Sequence, residues 1–175
     1  MTRFRRYVCW ISLLSLPFLV VSTPRVEGLV ILFFGAAIRI YASGYIEKNQ
    51  KLSTGGPFAY VRNPLYLGTL IMAFGVALAV GSPWAVFGVF CVGGPLFLWT
   101  ARAEERFLEE RFSEVYRSYR KEVPRFFPRM YRPGVSAAPF SRELFLKNKG
   151  YEAGFAALGL VALLYIIARV RATDF

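Results

Sequence analysis

Two short stretches hold side chains whose types and spacing could bind and orient a charged small molecule. The first runs Leu52-Ser53-Thr54-Gly55-Gly56-Pro57-Phe58-Ala59-Tyr60-Val61-Arg62-Asn63-Pro64-Leu65-Tyr66-Leu67-Gly68. Pro64 suits the first position of a helix and Asn63 its cap, so unpaired N–H groups and the positive helix end would face an anion, with Arg62 adjacent. The Gly55-Gly56 pair permits close backbone approach to a ligand. The same residues also read as an ordinary capped membrane helix with a snorkelling arginine and an interfacial tyrosine. The second stretch, Arg102-Ala103-Glu104-Glu105, follows a long apolar block. Two adjacent carboxylates at a membrane boundary are costly unless paired or hydrated. One of them could hold an ammonium whose companion carboxylate rests at the Asn63-Pro64 helix end, and such a ligand is a zwitterion. The alternative is a charged helix surface balanced by Arg102 and Arg106.

What the chain lacks narrows the chemistry further. It has no histidine, and its two cysteines, Cys9 and Cys91, lie inside apolar blocks. A His/Cys metal site is therefore not expected, nor is Ser-His or Cys-His nucleophilic catalysis, which leaves any acid-base step to Glu, Tyr, Lys or water. Of the 175 residues 55% are apolar and 17% aromatic, with a mean hydropathy of +0.41, too apolar for an ordinary soluble domain. The formal net charge of +11 does not point to nucleic acid, because the basic residues adjoin the apolar blocks, where anionic head groups and membrane topology account for them.

The elements that must position these residues are helices long enough to span a bilayer, which takes about 20 residues. The expectation is an all-α, polytopic integral membrane protein forming one domain over residues 1–175, with about five spans near 7–22, 26–46, 64–81, 83–100 and 151–170. The first block follows Arg3, Arg5 and Arg6, and is read as a span with a kink at Pro17 rather than as a cleaved signal. Gly81-Ser82-Pro83 makes a tight hairpin, since glycine commonly ends a helix and proline opens one. From Ala101 to Glu122 the spacing of Leu108, Phe112, Val115 and Tyr119 predicts an amphipathic helix continuing the fourth span, ended at Val123-Pro124. An irregular basic segment follows, marked by Pro124, Pro128, Pro133 and Pro139. With the N-terminus and both motif loops cytoplasmic, 18 of the 22 Lys and Arg residues fall on the inner side, as topology demands. Arg39, inside the second span, is an anchor by the same physics, and Gly75 and Ala79 serve close helix packing.

The residues also carry a resemblance. Gly56-Pro57-Phe58-Ala59-Tyr60-Val61-Arg62-Asn63-Pro64-Leu65-Tyr66-Leu67-Gly68 resembles the Gly-Pro-Tyr-x-x-x-Arg-His-Pro-x-Tyr-x-Gly signature of the isoprenylcysteine carboxyl methyltransferase family and the related membrane phospholipid methyltransferases. Glu104-Glu105-x-x-Leu108, Phe112, Tyr116, Tyr119 and Val123-Pro124-Arg125-Phe126-Phe127-Pro128 resemble the second half of that signature. The likeness covers roughly residues 39–130. It departs from the pattern at Asn63, where the family usually has histidine, and at Phe58, where it has tyrosine. Asparagine can cap and hydrogen-bond but does not titrate near neutrality.

The resemblance implies an enzyme that binds S-adenosylmethionine on the cytoplasmic side and methylates a lipophilic acceptor reaching it from the bilayer, releasing S-adenosylhomocysteine. It places cofactor contacts at Leu52, Ser53, Phe58, Asn63, Pro64, Leu65, Tyr66 and Glu104, with Arg62 supporting them. Arg102 is then the candidate to orient an acidic acceptor and Glu105 a candidate base; no metal is implied. An isoprenylcysteine-type carboxylate is the foremost acceptor, since it needs no base, and a prenylated or lipid molecule from the bilayer is the expected partner. A phospholipid amine is the next reading, followed by an NADPH-dependent sterol-type reductase and a non-catalytic scaffold. The membrane would be the inner membrane in a bacterium or the endoplasmic reticulum in a eukaryote.

Overall fold

A computed structural model describes residues 19–20, 23–47, 51–128 and 139–173. Among them the chain forms helices and no strands: α1 (Val26–Ser43), α2 (Pro64–Val80), α3 (Pro83–Glu122), α4 (Arg142–Lys147) and α5 (Glu152–Thr173). A 3-10 turn, Gly56–Ala59, precedes α2. Three of these helices, α1, α3 and α5, are long and apolar enough to cross a membrane, while α2 is apolar with 17 residues. The spans expected at 26–46, 83–100 and 151–170 thus coincide with such helices, and that at 64–81 with the shorter α2. The block at 7–22 lies outside the described residues save Leu19 and Val20.

The core is built where small residues let backbones touch. Gly28 and Gly35 of α1 face Gly68, Met72, Gly75 and Ala79 of the antiparallel α2. A Cβ on Gly75 would lie 2.4 Å from the Leu32 nitrogen and one on Gly28 2.2 Å from the Ala79 nitrogen, so neither position has room for a side chain. Helix α5 closes this pair, with Ala157 packed among Leu32, Ala36 and Met72, and Leu164 against Val20, Ala79 and Val80. Between helices in lipid there is no hydrophobic drive to associate, and close small-residue packing supplies the attraction instead. Arg39 adds a polar tie, as its Nη1 donates to the Leu65 carbonyl at 3.2 Å and to the Thr69 hydroxyl. The anchor expected of Arg39 therefore joins α1 to the first turns of α2.

Helix α3 behaves differently. Only 6% of its most apolar 18-residue stretch is buried, against 33% for α1, and Trp84, Phe87, Phe90 and Trp99 face outward. It starts as expected after Gly81, which adopts φ 76° to cap α2. A π-helical turn at Val89–Gly93 relieves the approach of Pro95, whose ring would otherwise collide with a preceding carbonyl.

The continuous helix expected over 101–122 is not continuous. Ser113 has φ 42° and ψ −115°, far outside helical values. Glu109 accepts from Arg117 Nε at 3.3 Å and from Arg120 Nη1 at 3.0 Å. Positions eleven apart on a straight helix are about 16 Å apart along the axis, so the chain must bend sharply at Ser113 for the second pair to form. The bend also corrects the apolar face: Tyr116 is buried and Val115 is 65% exposed. Beyond Val123 the described chain to Pro128 is irregular, as expected, whereas α4 is a short helix the sequence reading did not contain. It is capped by Ser141, whose hydroxyl accepts from the Leu144 N–H.

Two stability changes follow. Gly75→Ala forces α1 and α2 apart and should cost about 1–3 kcal/mol in thermal unfolding in detergent, with an unchanged melting temperature refuting the packing described. Ser113→Gly relieves a backbone conformation that costs a residue with a Cβ about 1–3 kcal/mol, partly offset by glycine's unfolded-state entropy. A net gain of about 1 kcal/mol is expected in the same assay.

Candidate functional site

The floor of the site is the apolar face of α3 beyond its membrane stretch. Tyr116, Tyr119 and Val123 form a buried cluster against which Leu52, Leu108 and Phe112 pack. The loop that precedes α2 is fastened onto this floor by two bonds. The Tyr119 hydroxyl donates to the Phe58 carbonyl at 2.6 Å, and the Arg62 N–H donates to the Pro124 carbonyl at 2.8 Å. Gly56 holds φ 55°, and a Cβ there would sit 2.4 Å from the Tyr45 ring. The glycine expected to admit a ligand thus admits Tyr45, from the end of α1.

At the centre lies Glu105, 4% exposed. Arg125 grips it with both arms of its fork, Nε to Oε1 at 2.8 Å and Nη2 to Oε2 at 2.7 Å. The Asn63 Nδ2 donates to Oε1 at 2.9 Å, and Arg62 Nη2 stands 3.5 Å from the same oxygen. Burial pushes this carboxyl up, but the Arg125 hydrogen bonds, the Arg62 charge and the Asn63 amide together outweigh it and hold the group below the ordinary carboxylate range. Tyr116 lies beside the cluster; its burial, with the Glu105 charge, pushes its phenol up to about 12.

The side-chain cap expected of Asn63 is absent: its amide turns to Glu105 and makes no capping bond to α2. The N–H groups of Leu65 and Tyr66, which helix geometry leaves without an intrahelical acceptor, are not covered by it. One buried carboxylate faces two guanidinium groups, so the cluster carries an excess positive charge directly behind the helix start. Within it Arg62 Nε and Nη1 and the Tyr116 hydroxyl are buried without a hydrogen-bond partner among the described residues. On the neighbouring flank Glu104 is exposed, its Oε2 accepting from the Tyr66 hydroxyl at 2.6 Å. An electropositive helix start beside an exposed carboxylate is a donor set that fits a zwitterion such as the methionine end of S-adenosylmethionine.

The structure thus draws together Arg62, Asn63, Pro64, Leu65, Tyr66, Glu104 and Glu105. Leu52 and Phe58 lie on the floor beneath them, and the Ser53 hydroxyl accepts from the Glu47 N–H at 3.3 Å. Arg102 is exposed on α3, one turn nearer the apolar stretch, and makes no hydrogen bond or ion pair among the described residues. The sequence reading gave no role to Arg125 or Tyr116. Their signal was present in the Val123-Pro124-Arg125 series, but nothing local ties position 125 to position 105; only the bend at Ser113 does.

A family model described as phospholipid methyltransferase matches residues 30–115, which include both motif stretches and stop short of Arg125. The chain is 34% identical over 125 residues to the cobalt-zinc-cadmium resistance protein CzcN of Cupriavidus metallidurans, covering 70% of this chain and 56% of that protein. It is 35% identical over 82 residues to the protein-S-isoprenylcysteine O-methyltransferase of Schizosaccharomyces pombe, covering 47% of this chain and 35% of the relative. For the enzyme of the same name from Xenopus laevis the figures are 28% over 126 residues, 65% and 43%. The chain therefore spans between about a third and just over half of the length of these relatives. No solved structure matches it.

Because Glu105 is ionised against two arginines, Glu105→Gln should cost stability by about 3–5 kcal/mol, the usual loss on breaking a buried pair. The native carboxyl is depressed, so its stabilisation is complete above the ordinary glutamate value of about 4.3 and is lost as pH falls through the native value. The gap in melting temperature between wild type and Glu105→Gln should be constant near neutrality and shrink below about pH 4. A gap independent of pH would contradict the ion pair.

Proposed function

We propose that the chain is an isoprenylcysteine-type membrane methyltransferase, as its matches suggest, and that it transfers a methyl group from S-adenosylmethionine to a lipophilic acceptor at the membrane boundary. The observation that carries this reading is the pairing of an uncapped, electropositive α2 start with the Glu104 carboxylate on α3, two opposite charges set to receive the two ends of an amino acid. S-adenosylmethionine, when bound, supplies a methyl group made electrophilic by its sulfonium. Asn63, Pro64, Leu65 and Tyr66 would receive its carboxylate with Arg62 behind them, Glu104 its ammonium, and Leu52, Ser53 and Phe58 would line the remainder.

The chain's own contribution is positioning. Holding donor and acceptor at near-attack distance in a water-poor site is worth many powers of ten without acid or base. The state of the candidate bases favours an acceptor that needs none. Glu105 is occupied by Arg125 and Asn63 and held ionised, and Tyr116 keeps its proton to about pH 12. On this reading Glu105 positions its neighbours rather than taking a proton. A carboxylate acceptor is already anionic, whereas an amine would first have to lose a proton. Arg102, exposed at the head of the apolar stretch of α3, is the group to orient that carboxylate. An isoprenylcysteine-type carboxylate, reaching the site along the lipid-facing side of α3, is the acceptor proposed. The motif loops face the cytoplasm, the side on which the basic residues concentrate.

Calorimetric titration of the detergent-purified protein with S-adenosylhomocysteine tests the cofactor site. Wild type should bind, and Glu104→Ala should lose at least tenfold in affinity. Unchanged affinity in that variant would remove Glu104 from the site, and no binding by folded wild type would remove the methyltransferase reading itself.

A further inference from the structure

We infer that Arg125 is a positioning residue for the anionic end of the cofactor, acting through Glu105 on Asn63 and on the charge behind the start of α2. The inference rests on the methyltransferase reading above. Three observations carry it. Arg125 holds both oxygens of Glu105 in a planar fork at 2.8 and 2.7 Å, which fixes the carboxylate in orientation as well as in place. Glu105 then takes the Asn63 amide at 2.9 Å, and an Asn63 side chain held there does not cap α2. Released, an asparagine at this position would fold onto the start of α2, where it is among the favoured caps, and compete with any incoming carboxylate.

The third observation is the charge count. With Arg125 present, Glu105 faces two guanidinium groups and the buried cluster is net positive. Without it, Glu105 would neutralise Arg62 alone, and the two Arg62 nitrogens now without a partner among the described residues would be free to turn to Glu105. Arg125 thus keeps two of the three Arg62 guanidinium nitrogens without a hydrogen-bond partner among the described residues. Its own side chain is 26% exposed, so truncation opens a water-accessible gap rather than a sealed void.

The test compares two ligands that differ at one end. S-adenosylhomocysteine carries the amino-acid portion, and 5′-methylthioadenosine keeps the nucleoside and thioether without it. In calorimetric titrations Arg125→Ala should weaken S-adenosylhomocysteine by about tenfold or more, as expected for loss of a charge-assisted contact, and leave 5′-methylthioadenosine unchanged. Arg125→Lys, which keeps the charge and loses the fork, should fall between wild type and Arg125→Ala for the first ligand only. If Arg125→Ala does not fold, the lysine variant carries the test, with a selective loss supporting the role. Equal affinity for S-adenosylhomocysteine in wild type and variants would overturn the inference, as would a parallel loss for both ligands, which marks a merely structural residue. A folded wild type that binds neither ligand overturns the methyltransferase reading as well, and so is told apart from failure of Arg125 alone.

Discussion

The site depends on one buried carboxylate. Glu105 gathers Asn63 and Arg62 from the loop before α2 and Arg125 from the segment after α3, two stretches about sixty residues apart that the Arg62 to Pro124 backbone bond also holds together. Two guanidinium groups would repel each other at this range, and an isolated buried anion would be expelled or protonated. Each charge is tolerable only because the others are present. The arrangement is a costly way to hold a structure together and a precise way to orient one, since a bidentate arginine tolerates little angular freedom.

Everything around the carboxylate serves to bring those groups into register. The glycine-lined seam of α1 and α2 fixes where α2 begins, and Arg39 ties the Leu65 carbonyl in its first turn back to α1. The tyrosine-rich face of α3 fastens the preceding loop, and the bend at Ser113 returns the chain so that position 125 reaches position 105. On a straight helix those residues would stand about 30 Å apart. The break is thus as much a part of the site as the side chains it delivers.

Much of this was legible in the residues. The hairpin at Gly81-Pro83, the start of α2 at Pro64 and the end of α3 at Val123 follow from the conformational limits of glycine and proline, which act locally. The close approach at Gly75 and Ala79 was equally plain. The break at Ser113 was hidden because neither glycine nor proline marks it, and because an apolar spacing of three and four fits a straight helix and a bent one alike. Asn63 was misjudged for a related reason. Its type favours capping, but a buried carboxylate is a stronger claimant for its amide than a backbone N–H. Local preference loses where a long-range electrostatic demand is larger, and that is where the site lies.

The bond between Tyr66 and Glu104 joins the first turn of α2 to α3 at the level where α3 leaves its apolar stretch. A cation held by Glu104 would share its carboxylate with that tyrosine. The polar side of the site and the joint between the two helices therefore share one carboxylate. The contact between α2 and α3 at the edge of the apolar stretch therefore hangs on a carboxylate that is itself exposed, so whatever neutralises Glu104 acts on the joint between two helices as well.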